Sequence, residues 1–552
     1  MKNKSDNAAF RNNYASEIYQ LGVDKAKLDL FNIIPKKYVQ LHHEGYIHIH
    51  DAEAYGKVNN CSTPDLISFF ETIELDSKTE QGKILEIINK IKYLITNIAL
   101  SQSGGIGFAN FDGDIHSLFQ KHHISLISEN VDFFKDCICE FLTWINTTRT
   151  RFCGEPYYLS FNIGLSCSGW GKITAKTILD TFMNMPIDYT RPNIIFKVNK
   201  DINSSKNSPN YDIFQLALSC TAKRMIPTYL LTDSNSNNTC MPQKLGIMGC
   251  RTRVYNNVNG SETSIGRGNV ANVSINLPRL AIESNCIEDF FSLLDSMMEN
   301  VSKLLIERAN QMKLNGEQYV QYILKNKIWT SVNTIDDMLK QGTLSIGFIG
   351  LSETVEVLTG TAYHMNSESY QIALDIIKYM RNFTDKLRDK YFTNFSLLAT
   401  PGEMISGRFC KIDKKYAKNP IQDKGFYTNS FHLPVDSQIS IFEKINYEAP
   451  FHNLCNGGCI TYVEFKSAPL TNILALEDAI NHATLKGISY LGFNYPLDIC
   501  NDCKTSGTFD NCPQCNSSSV KRIRRVSGYL EDLNYFTDGK KAEESFRKPN
   551  VM

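Results

Sequence analysis

No run of roughly eighteen apolar residues occurs anywhere in this 552-residue chain, so no stretch of it reads as a membrane-spanning helix. The start also lacks the charged and then apolar regions of a secretory signal. Together the two absences predict a cytoplasmic protein without a membrane partner. Net charge is missing as well: Lys+Arg and Asp+Glu both number 58, whereas a protein built to grip a nucleic-acid backbone usually carries a basic excess. A stable nucleic-acid partner is therefore not expected. Internal repeats, low-complexity tracts and obvious flexible linkers are absent too. What the chain does have is core material, 42% hydrophobic residues with 31 Phe and 26 Tyr. It also has 16 cysteines, which in a long chain without a signal fit reduced thiols, some reserved for metal or catalysis.

The cysteines are most informative near the C-terminus. Cys500/Cys503 and Cys512/Cys515 form two Cys-x-x-Cys knuckles separated by eight residues. Each knuckle can offer two thiolates from a tight turn, and the short connection lets both meet at one tetrahedral Zn²⁺. Four unrelated thiols or two disulfides fit that spacing poorly. Ten residues after Cys515 begins Arg525-Val526-Ser527-Gly528-Tyr529-Leu530, whose glycine by itself would read as a turn residue.

A zinc ribbon followed by an RVxGY loop resembles the C-terminal region of the anaerobic, class III ribonucleoside-triphosphate reductases. The resemblance makes Gly528 the site of a stored glycyl radical. An α-carbon radical lies flat between two amides, and a side chain would obstruct that planarity. Further motifs match the same family in order, over about residues 40 to 548. Gly45-Tyr46-Ile47-His48-Ile49-His50-Asp51 alternates like a strand and puts His48 and His50 on one face. Read alone they are two satisfied strand histidines, and the resemblance adds a substrate-holding role. Cys61 stands where the family has a reducing cysteine. Gly246–Arg251 and Gly266–Arg279 match its finger tip and return strand, which makes Cys250 the thiyl-radical residue and places Asn269 where formate-using members have an active-site asparagine. The Tyr427–His432 loop, with Asn429, Ser430 and His432, and the Gly457-Gly458 loop are read as substrate-holding.

Coarse periodicity predicts a helix near residues 28–34, stopped by Pro35, and helical stretches over 68–100 and about 114–148. Strands are expected at 156–162 and 191–199, and a helix over 211–224. In the family, the helices between about 68 and 156 form the dimer interface and the site for ATP or dNTP specificity effectors. Its first motif already stands at residue 45, so the resemblance implies that the family's extra nucleotide-binding (ATP-cone) module is absent or reduced. The expected division is an N-terminal helical extension over 1–40, a catalytic domain over 41–495, and a C-terminal ribbon and radical loop over 496–552. Alternating strands and helices favour an α/β fold, and the resemblance sharpens this to a ten-stranded barrel with a central finger loop.

The implied reaction is reduction of ribonucleoside triphosphates to 2′-deoxyribonucleotides: Gly528 stores the radical, Cys250 relays it, Cys61 reduces, and formate supplies the remaining electrons. A separate activase using S-adenosylmethionine and an iron–sulfur cluster is implied as partner, since no cluster motif of that type is evident here. Two readings compete. A formate-lyase-type acyltransferase shares the radical loop but has an adjacent Cys-Cys pair, which this sequence lacks, and has no ribbon. A zinc-ribbon nucleic-acid binder is suggested by Lys521-Arg522-Ile523-Arg524-Arg525. Replacing Gly528 by Ala is expected to leave fold and zinc intact, because one methyl in a loop costs little where φ is negative.

Overall fold

Ten strands close into a ring around the centre of the molecule, in a computed structural model that describes residues 14–148, 156–416 and 418–551. The strands in chain order are β1 (Ile47–Ile49), β2 (Cys61–Thr63), β3 (Ile106–Phe108), β4 (Leu159–Ile163), β5 (Asn193–Val198) and β6 (Thr228–Leu231). Next come β7 (Ile247–Met248), β8 (Thr252–Arg253), β9 (Arg267–Asn276), β10 (Thr343–Ile349), β11 (Asn394–Ala399), β12 (Thr461–Glu464) and β13 (Tyr490–Asn494). The last are β14 (Leu497–Cys500), β15 (Ser506–Gly507), β16 (Val520–Arg525) and β17 (Leu530–Asp532).

Around the ring the order is β11-β10-β9-β2-β3-β4-β5-β6-β13-β12, with β1 added antiparallel to β9. Neighbours are parallel except at two seams, β2/β9 and β6/β13, where they are antiparallel. The ring is thus two five-stranded parallel halves joined edge to edge. It closes where Leu398 of β11 bridges Gly458 just ahead of β12, with Gly457 N donating to Leu397 O (2.8 Å) and Ala399 N to Gly458 O (3.0 Å).

Strand composition follows from this closure. In β10 the residues Leu344, Ile346 and Phe348 belong to the apolar core, while Ser345 and Gly347 turn to small polar neighbours: Ser345 Oγ is 2.9 Å from Ser396 Oγ. Helices cover the outside, as parallel strands require. The helix Glu80–Leu100 buries Ile84, Ile87, Ile88, Ile91 and Leu94, one stripe at helical spacing. That stripe was expected, but its helix does not begin at 68. A short helix Leu66–Glu71, capped by Asp65, ends at Thr72, and a second starts after Thr79, whose hydroxyl accepts from Gly82 N (3.1 Å). The second predicted stretch is likewise two helices, Phe111–Lys121 and Ser128–Thr147. The helix Tyr211–Arg224 has the predicted bounds, and the N-terminal part falls into Tyr14–Ile33 and Lys36–His43 on either side of Pro35. The first thirteen residues of the expected extension lie outside the described residues.

β14 to β17 form a separate four-stranded antiparallel sheet, order β15-β14-β16-β17, which carries the Cys-x-x-Cys knuckles at one end and a hairpin tip at the other.

Candidate active site and metal centre

The chain between β6 and β9 enters the ring as a finger. β7 and β8 pair antiparallel, and Gly249-Cys250-Arg251 turns between them. Asn162 of β4 fixes the finger on one side: its amide donates to Ile247 O (3.0 Å), and its carbonyl accepts from Ile247 N (3.0 Å). On the other side the finger passes so close to Gly458 that a Cβ there would lie 2.0 Å from Arg251 O, while Arg253 N donates to Gly457 O (2.9 Å). Gly458 also has φ +120°, which only glycine adopts comfortably. Gly457 and Gly458 therefore make room for the finger and close the ring, and they do not reach the cavity beside Cys250.

β16 and β17 are joined by Val526-Ser527-Gly528-Tyr529, with Arg525 paired to Leu530 and Val526 N donating to Tyr529 O (3.0 Å). This hairpin lies directly on the finger. A Cβ on Gly528 would fall 2.3 Å from Cys250 Cβ and 2.4 Å from its Cα. The expectation that Gly528→Ala leaves the fold untouched is corrected by that contact: φ is not positive, but backbone occupies the space a methyl would need. Polar contacts hold the hairpin down. Arg251 donates to Ser527 O (3.1 Å) and Oγ (2.8 Å), Tyr462 donates to Ser527 O, and Arg191 donates to Leu530 O (2.9 Å) with its guanidinium 4.8 Å from the Tyr529 ring centre. Arg525 reaches across the β6/β13 seam, donating to Asn494 Oδ1 (2.7 Å) and to Met225 O.

A cavity of about 120 Å³ opens beside this contact, walled by Cys61, Cys250, Gly528, His50, Asn272 and Glu403 among others. Cys61 sits at the start of β2, its thiol donating to Asn60 Oδ1 (2.9 Å) and accepting from Gly105 N (3.2 Å). Cys250 donates to Glu403 Oε1 (3.3 Å), and burial, then the Glu403 charge, pushes its thiol well above the ordinary range, so it stays S–H. Burial also pushes the Glu403 carboxyl up to about 7. Its second oxygen accepts from Tyr529 OH (3.4 Å).

The remaining sequence candidates divide. His48 and His50 do share a face, with ring centres 4.7 Å apart, but only His50 reaches the cavity, where its Nε2 lies 2.8 Å from Ser274 Oγ. Asn269 does not reach it. Its amide donates to Thr343 Oγ1 (2.9 Å) and Ser345 Oγ (2.8 Å), and Asn272 stands on the wall instead. The β9/β10 register breaks here, with Asn269 paired to Thr343 but Ala271 to Leu344. Asn429, Ser430 and His432 are also off the cavity. Asn429 accepts from Gly402 N (2.7 Å) and donates to Ser527 Oγ (3.4 Å), Ser430 O accepts from Leu351 N (3.1 Å), and buried His432, held neutral by burial, lies 2.8 Å from Ile460 O. Asn429 and His432 line a second pocket of about 30 Å³. Glu403, Arg251, Arg191 and Tyr462 went unnoticed in the sequence, and only Arg251, adjacent to Cys250, gave any signal there.

The ligand atoms of Cys500, Cys503, Cys512 and Cys515 all lie within 4.8 Å of one another. The Cys500–Cys515 and Cys503–Cys512 sulfurs are 3.5 and 3.4 Å apart, near the ~3.8 Å edge of a tetrahedron with Zn–S bonds of ~2.3 Å. The four thiols fit a zinc ion and leave no fifth protein position, the signature of a structural site. Replacing any one by Ser is expected to lower zinc content per chain and to abolish glycyl-radical formation, because β14 and β16 tie the ribbon to the hairpin. Metal analysis alongside electron paramagnetic resonance checks both, and normal radical yield in a zinc-free variant would overturn the structural role.

The basic run Lys521–Arg525 is spent within the protein: Lys521 pairs with Asp188 (3.1 Å), Arg522 with Asp510 (3.1 Å), Arg524 with Asp498 (2.8 Å) and Glu544 (3.0 Å), and Arg525 is buried.

A closed ten-stranded barrel with a cysteine finger under a glycine hairpin defines a barrel of the glycyl-radical enzyme class. A solved glycyl radical enzyme from Archaeoglobus fulgidus shares this fold, with a TM-score of 0.54 at 9% identity over 94% of this chain and 83% of that one. Residues 6–549 match the family described as anaerobic ribonucleoside-triphosphate reductase, and the chain belongs to that family. It is 29% identical to the anaerobic ribonucleoside-triphosphate reductase of Escherichia coli (strain K12), over 93% of this chain and 78% of that protein. The anaerobic ribonucleotide reductase from Thermotoga maritima, solved in complex with dATP and CTP, superposes with a TM-score of 0.72 at 15% identity, over 97% of this chain and 92% of that one.

Proposed function

We propose that this chain reduces ribonucleoside triphosphates to 2′-deoxyribonucleoside triphosphates by radical transfer from Gly528 through Cys250, with Cys61 as the first reductant. The observation that carries this is the direct contact of Gly528 with Cys250 at a cavity that Cys61 also walls. Breaking an unactivated ribose C–H bond lies beyond acid–base chemistry and needs a hydrogen-abstracting atom. The Cys250 sulfur takes the ribose 3′ hydrogen, the 2′ hydroxyl leaves as water, and Cys61 returns a hydrogen atom while pairing with Cys250. Formate, oxidised to carbon dioxide, then supplies the remaining electrons. The enclosing barrel keeps bulk water and oxygen from these intermediates. Cys500, Cys503, Cys512 and Cys515 would hold a zinc ion that steadies the radical hairpin through the ribbon sheet and stays outside turnover.

Gly528 is packed against Cys250 and held by Arg251 and Tyr462, so a separate radical S-adenosylmethionine activase with an iron–sulfur cluster needs the hairpin displaced to reach its α-carbon. The helices Glu80–Leu100 and Ser128–Thr147 pack together and expose Leu85, Tyr93 and Leu100 outward. We assign them to a homodimer interface with an adjoining site for ATP or dNTP effectors. Residues 496–552 act as the ribbon and radical unit on a catalytic domain of 41–495. No helix among the described residues is long and apolar enough to cross a membrane, in keeping with a cytoplasmic enzyme. Anaerobic activation followed by electron paramagnetic resonance, and then a product assay with each ribonucleoside triphosphate, tests the reading. A glycyl doublet with deoxynucleotide formation is expected. A radical-bearing protein that reduces no ribonucleotide would sink it.

A further inference from the structure

Where β12 and β13 end, a cavity of about 110 Å³ lies between them, β16 and the last residues of the chain. That is several times the space a single water needs. Its walls carry five cations, Lys466, Arg524, Arg525, Arg547 and Lys548, against two carboxylates, Glu464 and Glu544. Both carboxylates are committed. Arg547 pairs with Glu464 (3.2 Å) and Glu544 (3.1 Å), and Arg524 pairs with Glu544 (3.0 Å) and with Asp498 (2.8 Å). Among the described residues, Lys466, Arg525 and Lys548 form no ion pair.

Burial does not use up the hydrogen-bonding capacity of Arg525. The residue is only 2% exposed, its Nε donates to Asn494 Oδ1 (2.7 Å) and its Nη2 to Met225 O, but its Nη1 has no hydrogen-bond partner. An orphaned N–H on a buried cation is costly, and a charged acceptor would recover that cost. Burial is also the largest influence on its pKa and lowers it, as happens to a cation short of counter-charge.

We propose that this cavity is a binding site for a phosphoryl oxyanion, either free phosphate or the terminal phosphate of a nucleotide, with Arg525 at its floor and Lys466 and Lys548 at its mouth. A guanidinium fork suits two oxygens of a tetrahedral anion, and the two exposed ammonium groups supply point charges against its remaining charge. A carboxylate, with a single charge, would leave two of the three cations unanswered. None of these three residues walls the Cys250 cavity, so the anion does not compete with a substrate there. Arg525 directly precedes the Val526–Tyr529 hairpin, and an anion bound to it steadies the hairpin from outside. The site does not depend on the reaction proposed above, and it is tested on the unactivated chain.

The full-length protein is treated briefly with an amine-reactive reagent, with inorganic phosphate, ATP or formate replacing chloride, and labelling at each lysine is read by peptide mass. Constant ionic strength keeps plain screening from imitating binding. Phosphate is expected to slow labelling of Lys466 and Lys548 several-fold and saturably, while Lys206, exposed and outside the cavity, labels as before. Lys548→Gln should raise the phosphate concentration that half-protects Lys466 by about tenfold, the loss of one charge-assisted hydrogen bond. Arg525→Lys, which keeps the charge but not the fork, should weaken protection at least as much, and if that chain fails to fold, Lys548→Gln decides alone. Protection by ATP at lower concentration than phosphate identifies a nucleotide as the source, and equal or better protection by phosphate identifies the free ion; either result upholds the site. No saturable protection by either, equal protection of Lys206, an unchanged midpoint in Lys548→Gln, or formate protecting as well as phosphate overturns it.

Discussion

Activated without oxygen and then exposed to air, the chain should break at Gly528 and shed a C-terminal piece containing the 24 residues beyond it (552 − 528 = 24). Oxygen adds to the α-carbon radical, and the resulting peroxyl species cleaves the backbone there. Proteolysis of an exposed segment would not need activation and would scatter. The buried hairpin is also a poor substrate for it, since Val526, Ser527, Tyr529 and Leu530 are all at most 6% exposed. Gly528→Ala should show no radical signal, no cleavage in air and no product, a complete loss. Because its methyl would collide with Cys250, that variant also shifts the hairpin off the finger, so lost activity alone does not locate the radical. The mass of the fragment does. Zinc content should stay near wild type, as the ribbon cysteines lie at the other end of the four-stranded sheet from the hairpin tip. A Gly528→Ala chain that still reduces ribonucleotides would falsify the assignment.

The second large effect separates the two cavity cysteines. Cys250→Ala should still accept a radical at Gly528, because storage precedes relay, but product should fall by more than about a thousandfold, as when the attacking atom of other enzymes is removed. Deuterium at the 3′ position should then be retained. Cys61→Ala should store the radical and lose 3′ deuterium, since abstraction needs only Cys250, yet complete no reduction. A Cβ on Gly249, next to Cys250, would lie 3.9 Å from the Cys61 sulfur, and both cysteines wall one cavity. Full turnover in either variant removes that residue from the scheme.

Local spacing carried the parts of this protein that local chemistry builds. Two Cys-x-x-Cys turns eight residues apart can hardly avoid meeting, and the isoleucine stripe of 84–94 specifies a buried helix face wherever the helix begins. The meeting of Cys61, Cys250 and Gly528 is another matter. It joins residues hundreds of positions apart, and only the motif resemblance made it legible. Glu403 stayed hidden for the same reason: nothing around Pro401-Gly402-Glu403 announces that the finger tip will arrive there. The polar loops at 427–432 and 457–458 misled in the opposite direction. Their match to the family suggested a substrate cradle, whereas Asn429 bonds Ser527 of the hairpin and Gly458 lets the finger pass. Asn269 shows the smallest such difference, since the cavity wall carries Asn272, three residues on.

The two antiparallel seams also impose an order of assembly. Strands β2 to β6 follow one another, with paired residues 33 to 53 positions apart, and can gather early, whereas β13 must find β6 across some 260 residues, a costlier and later event. Until it does, one flank of the cysteine finger stands open to solvent. Arg525 bonds Asn494 on one side of that last seam and Met225 on the other, so the glycine hairpin finds its seat only in a subunit whose ring has already shut. An unfinished barrel thus has nowhere to lodge the residue that would be charged with a radical, and the fold withholds its most dangerous chemistry from chains that are not yet able to contain it.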